Sequence, residues 1–199
     1  MRNNKILKYL PQVIIVLAGL IAIILHFILV KVEIMPLVQV IGSGLVVFIV
    51  PKLVFIIDRQ RLWFLNMVYA LFIILTVDFG SVLGFYDLFL WWDTMMHGFF
   101  GFICSISLYI LFLRELGGVK NWVKYLLTFL ATMGCGALWE VFEFSVDNIL
   151  GNDTQRVAES IAIGKTPVYD TMIDMIITIG GFVGFMVVDL LYWKKFKKK

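Results

Sequence analysis

The sequence predicts an all-α membrane protein, with six transmembrane helices in one bundle, a single domain over residues 1–199 and both termini in the cytoplasm. Three observations lead there. Hydrophobic residues make up 61% of the 199 and charged residues only 16%, with mean hydropathy +0.96. A soluble domain carries roughly a quarter charged residues. The apolar residues fall in runs of about 20, the length that crosses a bilayer as a helix. The basic residues lie almost wholly on alternate connections. The net charge of +3 therefore says less than its distribution. Basic residues scattered over short loops and a tail give no reason to expect a nucleic-acid partner.

Span one is expected at about 11–30. It follows a basic start, MRNNKILKYLPQ, like a signal peptide. Its apolar run continues through Val30 and no A-x-A-like site follows, so it reads as a retained span. His26 within it reads as a core or interhelical hydrogen-bonding residue. Span two covers about 36–57, with Pro36 suited to a first helical turn. Pro51 and Lys52 mark a kink or an early end, the lysine reaching for the interface. Spans three to six cover about 62–83, 92–113, 122–146 and 169–193. Trp63, Trp91, Trp92, Trp122, Trp139 and Trp193 fall near the ends of spans and read as an aromatic belt. Cys104 and Cys135 lie inside apolar runs and read as core residues.

The positive-inside rule orients the bundle. Arg2, Lys5, Lys8, Arg59, Arg61, Arg114, Lys120, Lys124 and the five lysines of the tail all fall on one side. Only Lys31, Arg156 and Lys165 fall on the other. An even number of spans agrees with this bias.

Charge inside the spans is where function is expected, because ionisable groups are costly there. In WWDTMMHGFFGFICS, Asp93 and His97 are one helical turn apart and leave the helix on the same side. Glu140, Glu143 and Asp147 share a face of span five, and Asp170 and Asp174 a face of span six. With the orientation above, His97, Glu140 and Asp174 all sit roughly 8 Å below the outer ends of their helices, in the extracytoplasmic leaflet. Small residues continue these faces inward: Gly101 and Ser105, Thr132 and Gly136, Thr178 and Gly181. Gly180 and Gly184 form a G-x-x-x-G pair on span six. The acids therefore point into the bundle. A helix over Gln155–Ile163, started by Asn152, Asp153 and Thr154 and stopped by Gly164, is expected as a lid over the acidic layer.

Several carboxylates in a partly dry pocket repel one another, so protons or a cation must neutralise them. Asp93, His97, Glu140, Glu143, Asp170 and Asp174 form an oxygen-rich ligand set suited to Mg²⁺, Mn²⁺, Ca²⁺, iron or Zn²⁺. A bland reading stands beside this one. A buried Asp–His pair is often only hydrogen-bonded, and Asp170 serves equally as a helix cap at the positive end of the dipole. Asp147 at a helix end can simply face interfacial water. Asp189 near the inner end of span six is expected to pair with the tail lysines or meet interfacial water.

The order D-T-M-M-H-G-F-F-G-F, W-E-V-F-E-F and Y-D-T-M-I-D-M-I-I-T-I-G-G, over roughly Trp91 to Gly184, resembles a family of bacterial multi-pass inner-membrane proteins typified by YjdF. More distantly it is similar to the VanZ-like family. That pattern tends to place a glutamine and an arginine after the span-five acid. Here the nearest, Gln155 and Arg156, stand farther along. The resemblance implies a bacterial inner membrane as location and Asp93, His97, Glu140, Glu143, Asp170 and Asp174 as characteristic polar positions. It implies no reaction.

Three functions remain open. One is a metal-assisted enzyme acting on an envelope lipid or lipid-linked substrate, with His97, Glu140 and Asp174 as candidate catalytic groups. The others are a cation- or proton-coupled transporter and a non-catalytic envelope factor. A six-span transporter is expected to form a homo-oligomer.

Overall fold

The computed structural model describes residues 10–29, 40–41 and 67–196. Among them there is no strand. The helices are α1 (Leu10–Leu29), α2 (Met67–Val82), α3 (Phe85–Leu88), α4 (Trp92–Glu115), α5 (Asn121–Leu150), α6 (Val157–Ala162) and α7 (Tyr169–Phe196). The expected spans one, four, five and six match α1, α4, α5 and α7 to within a few residues. Span two falls almost entirely outside the described residues, and span three is described only from Met67 onward. Among the described residues three helices are long and apolar enough to cross a membrane: Trp92–Leu113, Asn121–Leu150 and Tyr169–Leu191. The chain falls into two compact units divided between Met96 and His97, inside the first turns of α4.

In the first unit α1 packs on α2. Ile15 and Ala70 form the buried contact, flanked by Ile73 and Ile74. The last nine residues of α2, Ile74–Val82, are wound as π-helix, and the stretch holds a buried Asp78. Gly84 at φ +73° lets the chain turn into α3. There Phe85 stands edge-on to Phe79 and Trp92, with ring centroids 5.2 and 4.9 Å away.

The second unit is built on α4, α5 and α7. Its interior is layered along the helix axes. One end holds an aromatic core of Tyr109, Phe182 and Phe185, with Phe102, Ile106, Tyr125 and Phe129 around it. Tyr109 stacks on Tyr125 at 4.7 Å, and the Tyr125 hydroxyl donates to Asp189 at 2.5 Å. Asp189 is half-buried and accepts this bond from Tyr125, while the side chains of the tail lysines lie outside the described ones.

The middle layer is made by small residues. A Cβ on Gly101 would overlap the Thr178 carbonyl, and one on Gly181 would overlap backbone atoms of Gly98 and Phe102. These glycines let the α4 and α7 backbones touch. Among the described residues the G-x-x-x-G pair expected to do so is not the contact. There Gly180 has nothing within 4 Å of a built Cβ, and Gly184 meets the Phe102 ring, at 3.6 Å. Ser105 and Thr132, hydroxyls 3.0 Å apart, join α4 to α5 in the same layer.

Outside, the pattern reverses. Leu126, Leu130, Leu138, Val141, Ile176, Val183 and Val187 are exposed. The buried positions of α5 are Lys124, Thr128, Thr132, Gly136, Glu140 and Glu143, none of them a large apolar residue. An apolar exterior around a polar and small-residue interior is what a lipid solvent selects. Lys124 lies in the first turns of α5 and is buried. Cys104 is buried as expected, whereas Cys135 is exposed, and both are free thiols. The His26 side chain lies outside the described ones.

Candidate functional site

The remaining layer of the second unit is polar. It forms where the helical repeat brings His97 of α4, Glu140 and Glu143 of α5 and Asp174 of α7 to one level. Each is less than a tenth exposed. The His97 imidazole stands between two helices: Nδ1 is 3.8 Å from Glu140 Oε1, and Nε2 is 3.8 Å from Asp174 Oδ2. Both separations are ion-pair distances, longer than hydrogen bonds. Ligand atoms of His97, Glu140 and Glu143 lie within 4.8 Å of one another. Asp93, one turn ahead of His97 on α4 and also buried, offers an oxygen within the same 4.8 Å of the imidazole, as does Asp174. An ion about 2.1 Å from each donor holds tetrahedral neighbours about 3.4 Å apart. The two triads meet at His97, with Asp93 and Asp174 in one and Glu140 and Glu143 in the other.

Sequence reasoning therefore named the residues that converge, with two exceptions. Asp170 is half-buried in the first turn of α7 and contributes to none of the metal-capable groups found among the described residues. Asp147 shares the α5 face with Glu140 and Glu143 but is used by the following loop. The chain turns back at Gly151, φ +71°. The Thr154 amide and hydroxyl then donate to Asp147 at 2.7 and 2.6 Å, and the Gln155 amide donates at 3.0 Å. Asp147 is a loop anchor, because three donors reach it from the returning strand of chain.

One participant was misjudged. Trp139 has half its surface exposed but stands well inside α5, about three turns before Leu150. Its ring N–H also donates to Glu143 Oε1 at 2.8 Å, across one turn of α5. That bond fixes one carboxylate oxygen and leaves the other to the cluster. The W-x-x-x-E spacing was the signal for it.

The loop helix is shorter than expected. Its first amides are held by Asp153, which accepts from Val157 N at 2.7 Å and Ala158 N at 3.1 Å. Gly164 ends it at φ +72°, with its own amide bonded to Ile161 and that of Lys165 to Ser160. The segment rests on α7, with Ser160 buried and the Gln155 side-chain Nε2 donating to the Thr171 hydroxyl at 3.2 Å. Arg156 is engaged by Glu159 through both Nε and Nη2. Lys165 lies over the Tyr169 ring at 5.4 Å. Arg156 and Lys165 thus already have local partners.

Comparison with known proteins fits this architecture. A curated "Uncharacterized protein" from Thermotoga maritima is 27% identical over 121 residues. The match covers 58% of this chain and 55% of the relative, so it spans about half of that protein's length. No solved structure matches. The model of a membrane-protein family matches residues 13–195, nearly the whole sequence. The chain belongs to that family, the predicted membrane proteins of DUF2238.

Proposed function

We propose that this protein binds a divalent cation within the membrane, in a site built by His97, Glu140, Glu143 and Asp174, with Asp93 as a further ligand. The observation that carries the reading is the His97 imidazole, set 3.8 Å from a buried carboxylate on each of two other helices. Four buried carboxylates and one imidazole cannot all hold full charge in so dry a place. A cation resolves that conflict and binds the helices together. On this reading the chain is one domain of six spans with cytoplasmic termini in a bacterial inner membrane. The site then opens to the outer leaflet. The YjdF-like motif order supports this placement. The longer spacing of Gln155 and Arg156 separates the chain from the VanZ-like pattern.

The chemistry best suited to such a site is metal-assisted attack on an envelope lipid or lipid-linked substrate. A bound cation polarises an oxygen or activates water, and a carboxylate or His97 moves the proton. Arg156 and Lys165 are occupied locally, so neutralising a phosphate would fall to the metal. A second reading, cation- or proton-coupled transport, draws on a separate observation. The buried face of α5 stays polar below the site, through Thr132, Thr128 and Lys124, and Tyr125–Asp189 continues it.

The test is elemental analysis by mass spectrometry of detergent-purified protein beside a His97→Ala/Glu140→Gln double variant. Near-stoichiometric divalent metal in the parent, lost in a folded double variant, is expected. A parent that stays free of metal after purification without chelators, with metals supplied, overturns the cation reading and leaves a proton-linked or structural network.

A further inference from the structure

One buried hydroxyl in the second unit behaves unlike its neighbours. Ser105, Ser107 and Thr128 each donate to the backbone carbonyl four residues earlier, at 2.6–2.8 Å. Serine and threonine inside helices ordinarily do this. Thr178 on α7 is fully buried, yet its hydroxyl has no hydrogen-bond partner among the described residues. Leaving a buried hydroxyl unsatisfied costs about 1–3 kcal/mol. The standard intrahelical remedy, donation to the Asp174 carbonyl, is not taken.

Its position shows what it addresses. Thr178 is one turn inward of Asp174 on α7. Its Oγ1 lies 3.9 Å from a Cβ built on Gly136, and Gly136 is one turn inward of Glu140 on α5. The two helices therefore run antiparallel here, with Thr178 level with Gly136 and Asp174 level with Glu140. Side chains on a helix lean toward its N-terminus. Thr178 on α7 thus leans outward toward the cluster, and Glu140 on α5 leans inward toward Thr178. Gly101 lets the Thr178 backbone lie against α4, and Gly136 leaves ordinary contact distance to the Thr178 side chain. By register and lean, the unpartnered hydroxyl stands at the inner end of the acid–imidazole cluster.

We propose that Thr178 Oγ1 is a neutral ligand at the inner end of the site, and that its presence tunes the site to a hard divalent cation of the Mn²⁺ type over Zn²⁺. The inference rests on the cation reading above and adds to it a ligand and a selectivity. Adding a hydroxyl to carboxylates and one imidazole raises the coordination number with hard oxygen. Mn²⁺ accepts six such ligands, whereas Zn²⁺ is satisfied by four.

The experiment is equilibrium dialysis of Mn²⁺ and, separately, Zn²⁺ against the full-length protein in detergent, for the parent, Thr178→Val and Thr178→Ser. Valine keeps the shape and β-branching of threonine and deletes only the hydroxyl. Mn²⁺ affinity is expected to fall about tenfold in Thr178→Val, the range seen when a metal-site hydrogen-bonding or ligand-supporting group is lost. Zn²⁺ affinity is expected to change less, and Thr178→Ser to bind Mn²⁺ as the parent does. If Thr178→Val fails to fold, Thr178→Ala deletes the same hydroxyl without added volume and is read the same way. Parental Mn²⁺ affinity in the hydroxyl-free variant overturns the Thr178 assignment while the cation site stands. An equal loss for both metals overturns the selectivity. A parent that binds neither metal overturns both the assignment and the cation reading.

Discussion

Trp139 shows how one residue serves two solvents. Half its ring faces outward, and its N–H reaches back to Glu143 Oε1 at 2.8 Å. A hydrogen bond to a carboxylate is stronger than one between neutral groups and fixes the direction of the lone pairs left over. In a metal site, groups that orient a ligand weigh nearly as much as the ligand. Trp139→Phe keeps the apolar ring in lipid and removes only the donor. It is expected to leave detergent stability close to parental and to lower divalent-cation affinity about tenfold, read by dialysis. Unchanged affinity would remove Glu143 from the ligand set and leave His97, Glu140 and Asp174 as its core. Asp147 marks the opposite lesson. Spacing places it with the cluster acids, but the turn at Gly151 delivers three donors to it that no periodicity in α5 foreshadows.

Between elements, the decisive contact is the touch of α4 on α7. Gly101 and Gly181 form it, and it sets how near His97 and Asp174 can stand. A methyl group at position 181 meets backbone atoms of Gly98 and Phe102, which cannot swing aside as a side chain would. Gly181→Ala is therefore expected to force the helices apart, at a cost of about 1–3 kcal/mol typical of overpacking. Gly180→Ala meets nothing within 4 Å among the described residues and gains helix propensity, so it is expected to be neutral or stabilising by up to about 1 kcal/mol. Thermal unfolding of the two variants in detergent separates them by sign. If Gly180→Ala is the damaging change, the G-x-x-x-G face makes the contact after all. The sequence narrows the choice to adjacent glycines and stops there, because only the rotation of α7 decides which one faces α4. The π-winding of Ile74–Val82 is hidden for a related reason. A continuous apolar run looks the same at 3.6 residues per turn as in a wider helix.

At the scale of the molecule, hydrophobic length made the described long helices legible. Runs starting at Trp92, Trp122 and Tyr169 give α4, α5 and α7 to within a few residues, because only long apolar helices can satisfy their backbones in lipid. The site was legible for the same reason. An Asp93 or a Glu140 inside such a run has no bland use as common as it would have in a soluble helix. What sequence alone leaves to physics is direction. The turn at Gly117 and Gly118 joins α4 to α5, and Asn152 follows α5, so these two points emerge at opposite ends of α5. The acid–imidazole cluster lies toward the Asn152 end. Basic residues Arg114 and Lys120 flank the first point, which the positive-inside rule assigns to the cytoplasm. In a background carrying Cys104→Ala and Cys135→Ala, Asn152→Cys is expected to react with a membrane-impermeant maleimide on intact cells. Gly118→Cys, in open and exposed backbone, is expected to react only after lysis. The reverse pattern would turn the bundle over and place the cluster in the cytoplasmic leaflet. An envelope substrate on the outer face would then be out of reach. The labelling thus decides which leaflet supplies the site's ligand, independently of whether a metal is found there.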